Sequence, residues 1–253
     1  MAWEESFSAS FRARHDSAHA DDADRVLDAL ERTRDRLTAL YPRTVADLTV
    51  VLHTSTLSLT LSNPLVPATW LLSAPAARRY VAGWSAGAEL HVLAPAALDA
   101  RASAVPGSRE MLSLTAPALY ARRVVTENNQ ELAGARAPAR LAAEARWAWL
   151  LEGSARWLCG QTDHARPAIA RRLREGPHPS FPPRRRDAIL LGGTVFDLLA
   201  REEGERAAAA FSTRLHPQGA RAALKQAFGG RPFAHTEGAW RSHLARLAGA
   251  AAG

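Results

Sequence analysis

Residues 122–160 read RRVVTENNQELAGARAPARLAAEARWAWLLEGSARWLCG, and this stretch decides how the fold is interpreted. Its second half is predicted to be a helix, because apolar side chains recur there at steps of three and four residues. Glu152 is offset from this apolar stripe, so we expect its carboxylate to point into a cleft beside the core. The residues of the stripe are Trp147, Leu150, Leu151, Ser154, Trp157 and Leu158.

Two patterns in this stretch resemble the active-site motifs of gluzincin metallopeptidases, the peptidase MA-like group. The segment WLLEGSARWL is similar to the family's W-L-x-E-G-x-A-x-[YW] segment, in which the glutamate is the third zinc ligand. Upstream, VVTENNQ lies where the family shows its HExxH helix. The resemblance implies that Glu152 is at the third-ligand position and Glu127 at the general-base position. Thr126 and Gln130 then stand where the two histidine ligands would be.

The two missing histidines determine the predicted function. An HExxH helix binds zinc because residues i and i+4 share one face and aim two imidazoles at one ion, while the glutamate polarises the bound water. A threonine hydroxyl and a glutamine amide are poor zinc ligands by comparison. If the resemblance holds, Glu127 and Glu152 are vestigial. Histidines placed at 126 and 130 are then predicted to create a zinc site.

We therefore predict a catalytically inactive pseudo-peptidase that binds a peptide or a protein partner in the former active-site cleft. No cofactor is expected, and zinc is expected only if ligands outside the motif complete the site, with His91 and His164 as candidates. One alternative is an active metal-dependent peptidase or hydrolase with an atypical metal site. A second alternative is a basic nucleic-acid-associated protein. The chain contains no P-loop and no GxGxxG dinucleotide-binding motif.

The resemblance spans residues 5–247 and implies an α+β fold. We predict a small N-terminal mixed sheet with helices (1–105), followed by a mainly α-helical, zincin-like part that carries the degenerate metal-site helices (106–253). Periodicity indicates strands at 5–14, 47–53 and 89–93. It indicates helices at 23–41, from 108 to 125 and at 188–201, with shorter helices to 247. Residues 131–139 and 161–187 are predicted to be loops, because glycine or proline interrupts them.

Residues 161–187 are the most basic part of a chain whose net charge is +7 and whose only lysine is Lys225. We interpret this segment as a solvated loop, or else as an anion or nucleic-acid patch. Phe181 is its only aromatic residue, so a base-stacking platform is not favoured and nucleic acid is not the expected partner. In the resembling family the region borders the substrate cleft, which leaves acidic peptides open. The candidate binding residues are Arg171, Arg172, Arg184, Arg185 and Arg186.

The sequence also bears on location. No apolar run reaches the roughly 18 residues that a membrane span needs, and the first residues, MAWEESFSASFRARHD, do not resemble a signal peptide. We expect a cytoplasmic protein, while an export signal upstream of this start stays open. The single cysteine, Cys159, excludes a disulfide within the chain. The oligomeric state is left open.

Overall fold

The N-terminal part of the chain is built on a five-stranded mixed sheet. The structure is a computed structural model that describes residues 3–63 and 65–249, so residues 1, 2, 64 and 250–253 of the two predicted subdomains lie outside the described part. The sheet order is β1-β2-β3-β5-β4, with β2, β3 and β5 parallel and both edge strands antiparallel to their neighbours. The strands are β1 Trp3–Phe7, β2 Phe11–Asp16, β3 Leu48–His53, β4 Gly83–Ala86 and β5 Glu89–Leu93.

Helices make up most of the remaining described chain, which confirms the predicted α+β class and the mainly helical C-terminal part. Short 3₁₀ turns occupy 17–19 and 95–97. The α-helices are α1 Ala20–Thr38, α2 Thr56–Ser62, α3 Leu65–Leu72, α4 Pro75–Arg78, α5 Leu98–Arg101, α6 Ser108–Ser113, α7 Thr115–Glu127, α8 Gln130–Ala133, α9 Ala137–Arg146, α10 Ala148–Leu158, α11 Gln161–His164, α12 Arg166–Arg174, α13 Arg185–Glu203, α14 Glu205–Ser212, α15 Ala220–Ala227 and α16 Phe233–Gly249.

Helices α1 and α7 pack against one face of the sheet. Alternation along β2 buries Phe11 and Ala13 on that face, because successive side chains of a strand point to opposite sides. Phe11 meets the ring of Tyr120 from α7 edge to face at 5.1 Å between centroids. The Tyr120 hydroxyl donates to the carbonyl of Val45 at 3.0 Å, so the loop before β3 is hydrogen-bonded to α7.

The prediction of one strand over residues 5–14 is wrong, because the segment turns back on itself. β1 and β2 form an antiparallel pair, and the amide of Ser8 donates to the carbonyl of Phe11 at 2.9 Å across the turn. Glu31 of α1 holds this turn by accepting hydrogen bonds from the Ser8 hydroxyl at 2.7 Å and the Ser10 amide at 2.6 Å. The anchoring carboxylate lies more than twenty residues away along the chain, so the local pattern did not indicate it.

The loops predicted over 131–139 and 161–187 also contain helices. Pro138 lies in the first turn of α9 and Pro167 in the first turn of α12. Proline is tolerated there, because its missing N–H would have no partner within the helix. These prolines therefore begin helices, and the prediction that they interrupt the chain's helices is wrong.

Helices α10 and α13 form the closest helix pair of the C-terminal part. A Cβ atom added to Gly153 would lie 2.4 Å from the carbonyl carbon of Gly192, so each of these glycines is required by the backbone of the other helix. From α16, the indole N–H of Trp240 donates to the Thr194 hydroxyl at 2.8 Å and holds the third helix against this pair. Among the described helices, none is long and apolar enough to cross a bilayer.

Candidate functional site

A cleft of about 470 Å³ lies where the sheet meets the helical part, and Glu152 is on its wall. One side is formed by edge strand β4 and the segment before it. The other sides are formed by helices α3, α7, α9, α10 and α13. The prediction that Glu152 points into a cleft beside the core agrees with this position.

Each helix presents one face to the cleft. From α10 the face is Ala148, Glu152 and Arg156, which are spaced by four residues and therefore lie above one another. From α7 it is Thr115, Leu119 and Arg122, at spacings of four and three. From α9 and α13 the contributions are Leu141, Glu144 and Ala145, and Arg185, Ala188 and Ile189.

Arginine side chains engage the Glu152 carboxylate on both of its oxygens. Arg122 of α7 places Nε 3.1 Å from Oε1, and Arg156 donates from Nη2 to Oε2 at 3.2 Å. The side chains of Glu152, Arg122 and Arg156 are 22%, 28% and 9% exposed. Because water is partly excluded, these pairs attract more strongly than ion pairs on the surface. The negative charge of Glu152 is therefore balanced by two arginines of its own chain.

The ion pairs continue on both sides of Glu152. Arg122 also donates from Nη2 to Glu144 Oε2 at 3.0 Å, and Glu144 accepts a second bond at 3.0 Å from Arg140 in the preceding turn of α9. On the other side, Arg156 donates to the side-chain carbonyl of Gln161, whose amide donates to the carbonyl of Met111. The network thus joins side chains of α7, α9, α10 and α11 to the main chain of α6.

Strand β4 gives the cleft an open backbone edge. It pairs with β5 alone among the described strands, and Gly83, Trp84 and Ser85 line the cleft. The amide of Leu93 donates to the carbonyl of Ala82. Hydrogen-bonded residues alternate along an antiparallel pair of strands, so the main-chain N–H and C=O groups of Trp84 also point toward β5. By the same alternation, Gly83 and Ser85 turn their N–H and C=O groups toward the open edge.

The cleft has an apolar rim and an excess of positive charge. Leu72 of α3 and Leu141 of α9 line it, although both side chains are more than half exposed. The charged residues of the lining are three arginines and two glutamates, so one positive charge is unmatched. The excess is at Arg185, which is exposed at the start of α13 and forms no ion pair within the described ranges, whereas Arg122 and Arg156 pair with the two glutamates.

The structure places Thr126, Glu127 and Gln130 outside the lining of the cleft that contains Glu152. Helix α7 ends at Glu127, and Gln130 is the first residue of α8, which Asn129 caps by accepting from the Leu132 amide. The expectation that 126 and 130 share a helix face is therefore wrong, because the chain leaves the helix between them. The Thr126 hydroxyl donates to the carbonyl of Arg122, while Glu127 and Gln130 are exposed. None of the three is among the residues that line the cleft.

The predicted arginine surface is divided between different roles. Arg172 is buried and forms a bidentate ion pair with Asp187 at 2.7 and 3.0 Å. The prediction that Arg172 belongs to a binding surface is therefore wrong. Arg171 is exposed and pairs with Glu175 one turn later at 2.8 Å. Arg184, Arg185 and Arg186 are exposed, and of these Arg185 reaches the cleft.

The two histidines considered as additional ligands lie elsewhere. His91 of β5 shares a hydrogen bond with His53 at 3.0 Å and donates from Nε2 to the Glu89 carboxylate at 3.1 Å. The indole of Trp84 stacks on the His91 ring at 3.9 Å between centroids. His164 is exposed at the end of α11. Within residues 3–63 and 65–249, no group of three or more His, Cys, Asp or Glu side chains is arranged to hold a metal ion.

Sequence reasoning missed Arg122, Glu144 and Arg156, which surround Glu152. The spacing of Glu152 and Arg156 by four residues was a usable signal, because such residues are neighbours on a helix. Arg122 and Glu144 carried no such signal, since their contact with each other crosses between helices. Comparisons of this chain with protein-family models, with curated proteins and with solved structures found no match.

Proposed function

We propose that this protein is a catalytically inactive relative of the gluzincin metallopeptidases, and that it binds an extended segment of a peptide or partner protein in the cleft beside Glu152. The observation that carries the proposal is the double ion pair of Glu152 with Arg122 and Arg156. A glutamate that binds a metal ion must offer a free carboxylate oxygen to it. Here each oxygen already contacts a guanidinium group of the chain.

Strand β4 supports a peptide as the ligand. An extended peptide can add to an exposed sheet edge through main-chain hydrogen bonds, while pockets beside the strand select its side chains. The outward N–H and C=O groups of Gly83 and Ser85 supply such an edge. Leu72 and Leu141 supply apolar contacts on the facing walls.

The unmatched charge at Arg185 indicates which peptides bind best. A guanidinium group recognises a carboxylate through two parallel hydrogen bonds. Because Arg185 is an exposed residue of the lining, a peptide with an acidic side chain or a terminal carboxylate beside it is favoured. This agrees with the acidic peptide that the sequence analysis left open.

The experiment is a selection of peptides from a random displayed library, followed by affinity measurements with two variants of one residue. Ser85→Pro removes an outward N–H without removing a bond to β5, and proline is accepted on the open side of an edge strand. Ser85→Ala removes only the hydroxyl and is the matched control. We expect Ser85→Pro to weaken the selected peptides about three- to tenfold, the value of one hydrogen bond. Equal affinities for both variants would contradict binding at the edge of β4.

The two alternative functions stay untested predictions. An active metal-dependent hydrolase requires ligands that displace the arginines from Glu152. A nucleic-acid-associated protein requires a basic surface, and two of the five candidate arginines are paired with carboxylates. The cytoplasmic location expected from the sequence also stays a prediction.

A further inference from the structure

A second surface combines exposed leucines with arginines that have no carboxylate partner. Residues 48–77 contain no Asp, Glu, Lys or Arg, and the first charged residues after them are Arg78 and Arg79. Apolar side chains that protrude into solvent are concentrated in this uncharged stretch. Of the seven large apolar side chains that are exposed in the described chain, it holds four: Leu57, Leu61, Leu71 and Leu72.

The arginines and one of these leucines meet in a shallow depression of about 430 Å³, which we call the α3 surface. It does not depend on the cleft beside Glu152. Leu71, Pro67 and Trp70 of α3 form its apolar part. Its charged part consists of Arg78, Arg79 and Arg101.

The three arginines bond only to main-chain carbonyl groups in the described chain. Arg78 donates from Nε to Ser73 at 3.1 Å, and Arg79 donates from Nη1 to Ala102 at 3.4 Å. Arg101 donates from Nη2 to the carbonyls of Arg78 and Val81, both at 2.8 Å. Three positive charges therefore share one depression whose lining contains no acidic side chain.

Trp70 joins the charged and apolar parts of the α3 surface. The guanidinium carbon of Arg101 lies 4.6 Å from the centre of the Trp70 ring, a cation–π contact. The indole N–H donates to the carbonyl of Val81 at 3.0 Å, so the ring is fixed in place. Burial and then the nearby charge of Arg79 lower the pKa of Arg101 to about 10, which leaves it cationic at neutral pH.

We propose that the α3 surface docks on a lipid bilayer that contains anionic headgroups. Arginines beside the exposed side chain of Leu71 fit an interface in which phosphate groups lie above acyl chains. The arginines bind the headgroups, and Leu71 enters the apolar layer below them. A peptide ligand is less compatible, because peptides with apolar anchors insert them into deep grooves, whereas this depression is shallow and its one leucine, Leu71, is itself exposed.

The test measures co-sedimentation of the full chain with phosphatidylcholine vesicles and with vesicles that also contain phosphatidylglycerol. We expect binding to the anionic vesicles that weakens as salt is added. Arg79→Gln is expected to lower the partition coefficient about fivefold, the contribution of one basic residue near such a surface. Leu71→Ser is expected to lower it by a similar factor, because the leucine no longer enters the apolar layer.

Two control variants separate this surface from general charge and general hydrophobicity. Arg206→Gln on α14 makes the same charge change at another exposed arginine, and Phe7→Ser removes an exposed apolar side chain from β1 at the opposite edge of the sheet. Both should bind like the unchanged protein. Equal binding to both kinds of vesicle would overturn the proposal. It would also be overturned if Arg79→Gln lost vesicle binding and Leu71→Ser did not, since the surface would then recognise the anionic group alone.

Discussion

Arg122 of α7 and Glu152 of α10 form an ion pair across the wall of the cleft, with Nε 3.1 Å from Oε1. Glu152 is the residue that the resemblance to zinc peptidases places at the third-ligand position. In this chain the helix that faces it presents a cation. Glu152 therefore belongs to a network of ion pairs that joins the helices of the cleft wall.

Replacement of Glu152 by Gln should destabilise the protein, because the buried Arg156 would lose its carboxylate partner and Arg122 would keep only Glu144. We expect a loss of about 1–3 kcal/mol in the free energy of unfolding. Urea denaturation at neutral pH measures it. The matched control is Glu127→Gln, which changes an exposed glutamate and should stay within about 0.5 kcal/mol of the unchanged protein. Equal effects of the two substitutions would be inconsistent with the network.

Histidines at 126 and 130 should not create a zinc site, contrary to the prediction made from the sequence pattern. The double variant Thr126→His with Gln130→His places its imidazoles on either side of the end of α7, so they do not share a helix face. Zinc titration followed by calorimetry should detect no stoichiometric binding. Uptake of one zinc per chain would mean that α7 continues beyond Glu127 in solution.

The close contact of α10 and α13 predicts opposite effects for two Gly→Ala substitutions in helices. Gly153→Ala should cost about 2–3 kcal/mol, because the new methyl group would overlap the backbone at Gly192. Gly238→Ala in α16 has no atom within 4 Å of the new Cβ and should stabilise by about 0.5–1 kcal/mol. Thermal unfolding of both variants tests this. A similar shift for both would refute the packing of α10 on α13.

His53 should make stability depend on pH between 6.5 and about 4. Burial and then the charge of nearby His91 lower the pKa of His53 from 6.5 to about 4, so the folded state favours the neutral ring. The unfolded chain binds the proton first as pH falls, so this contribution is present above pH 6.5 and is lost toward pH 4.

The slope due to His53 should be at most about 1.4 kcal/mol per pH unit. Denaturation curves at several pH values measure it, with His53→Gln as the comparison because the other titrating groups are common to both proteins. The difference in the free energy of unfolding between the two proteins should become smaller as pH falls from 6.5 to about 4. A difference that does not change with pH would show that His53 titrates normally in the fold.

The buried strands and long helices could be predicted from the sequence because their patterns are local. The apolar run Leu48–His53 is a central strand, and the helical period from Ala23 onward corresponds to α1. The hairpin of β1 and β2 could not be predicted in this way, since Glu31 stabilises its turn from a distant helix. The prolines of α9 and α12 were misinterpreted because proline both interrupts helices and begins them.

The site was predicted only in part for a similar reason. Glu152 stands out against an apolar stripe, and that contrast is visible in one helix. Its partner Arg122 was overlooked because one helix pattern does not show which face of a second helix lies opposite. Gln130 was assigned to the same helix as Thr126, but α7 ends three residues before it, at Glu127.

The most direct test of the proposal that the cleft is catalytically inactive is the metal content of the purified protein, measured by elemental analysis before and after dialysis against zinc. Because Arg122 and Arg156 hold both oxygens of Glu152, we predict far less than one zinc per chain in both samples. One tightly held zinc per chain that is lost in Glu152→Gln would contradict the account, since Glu152 would then be a ligand of a working metal site.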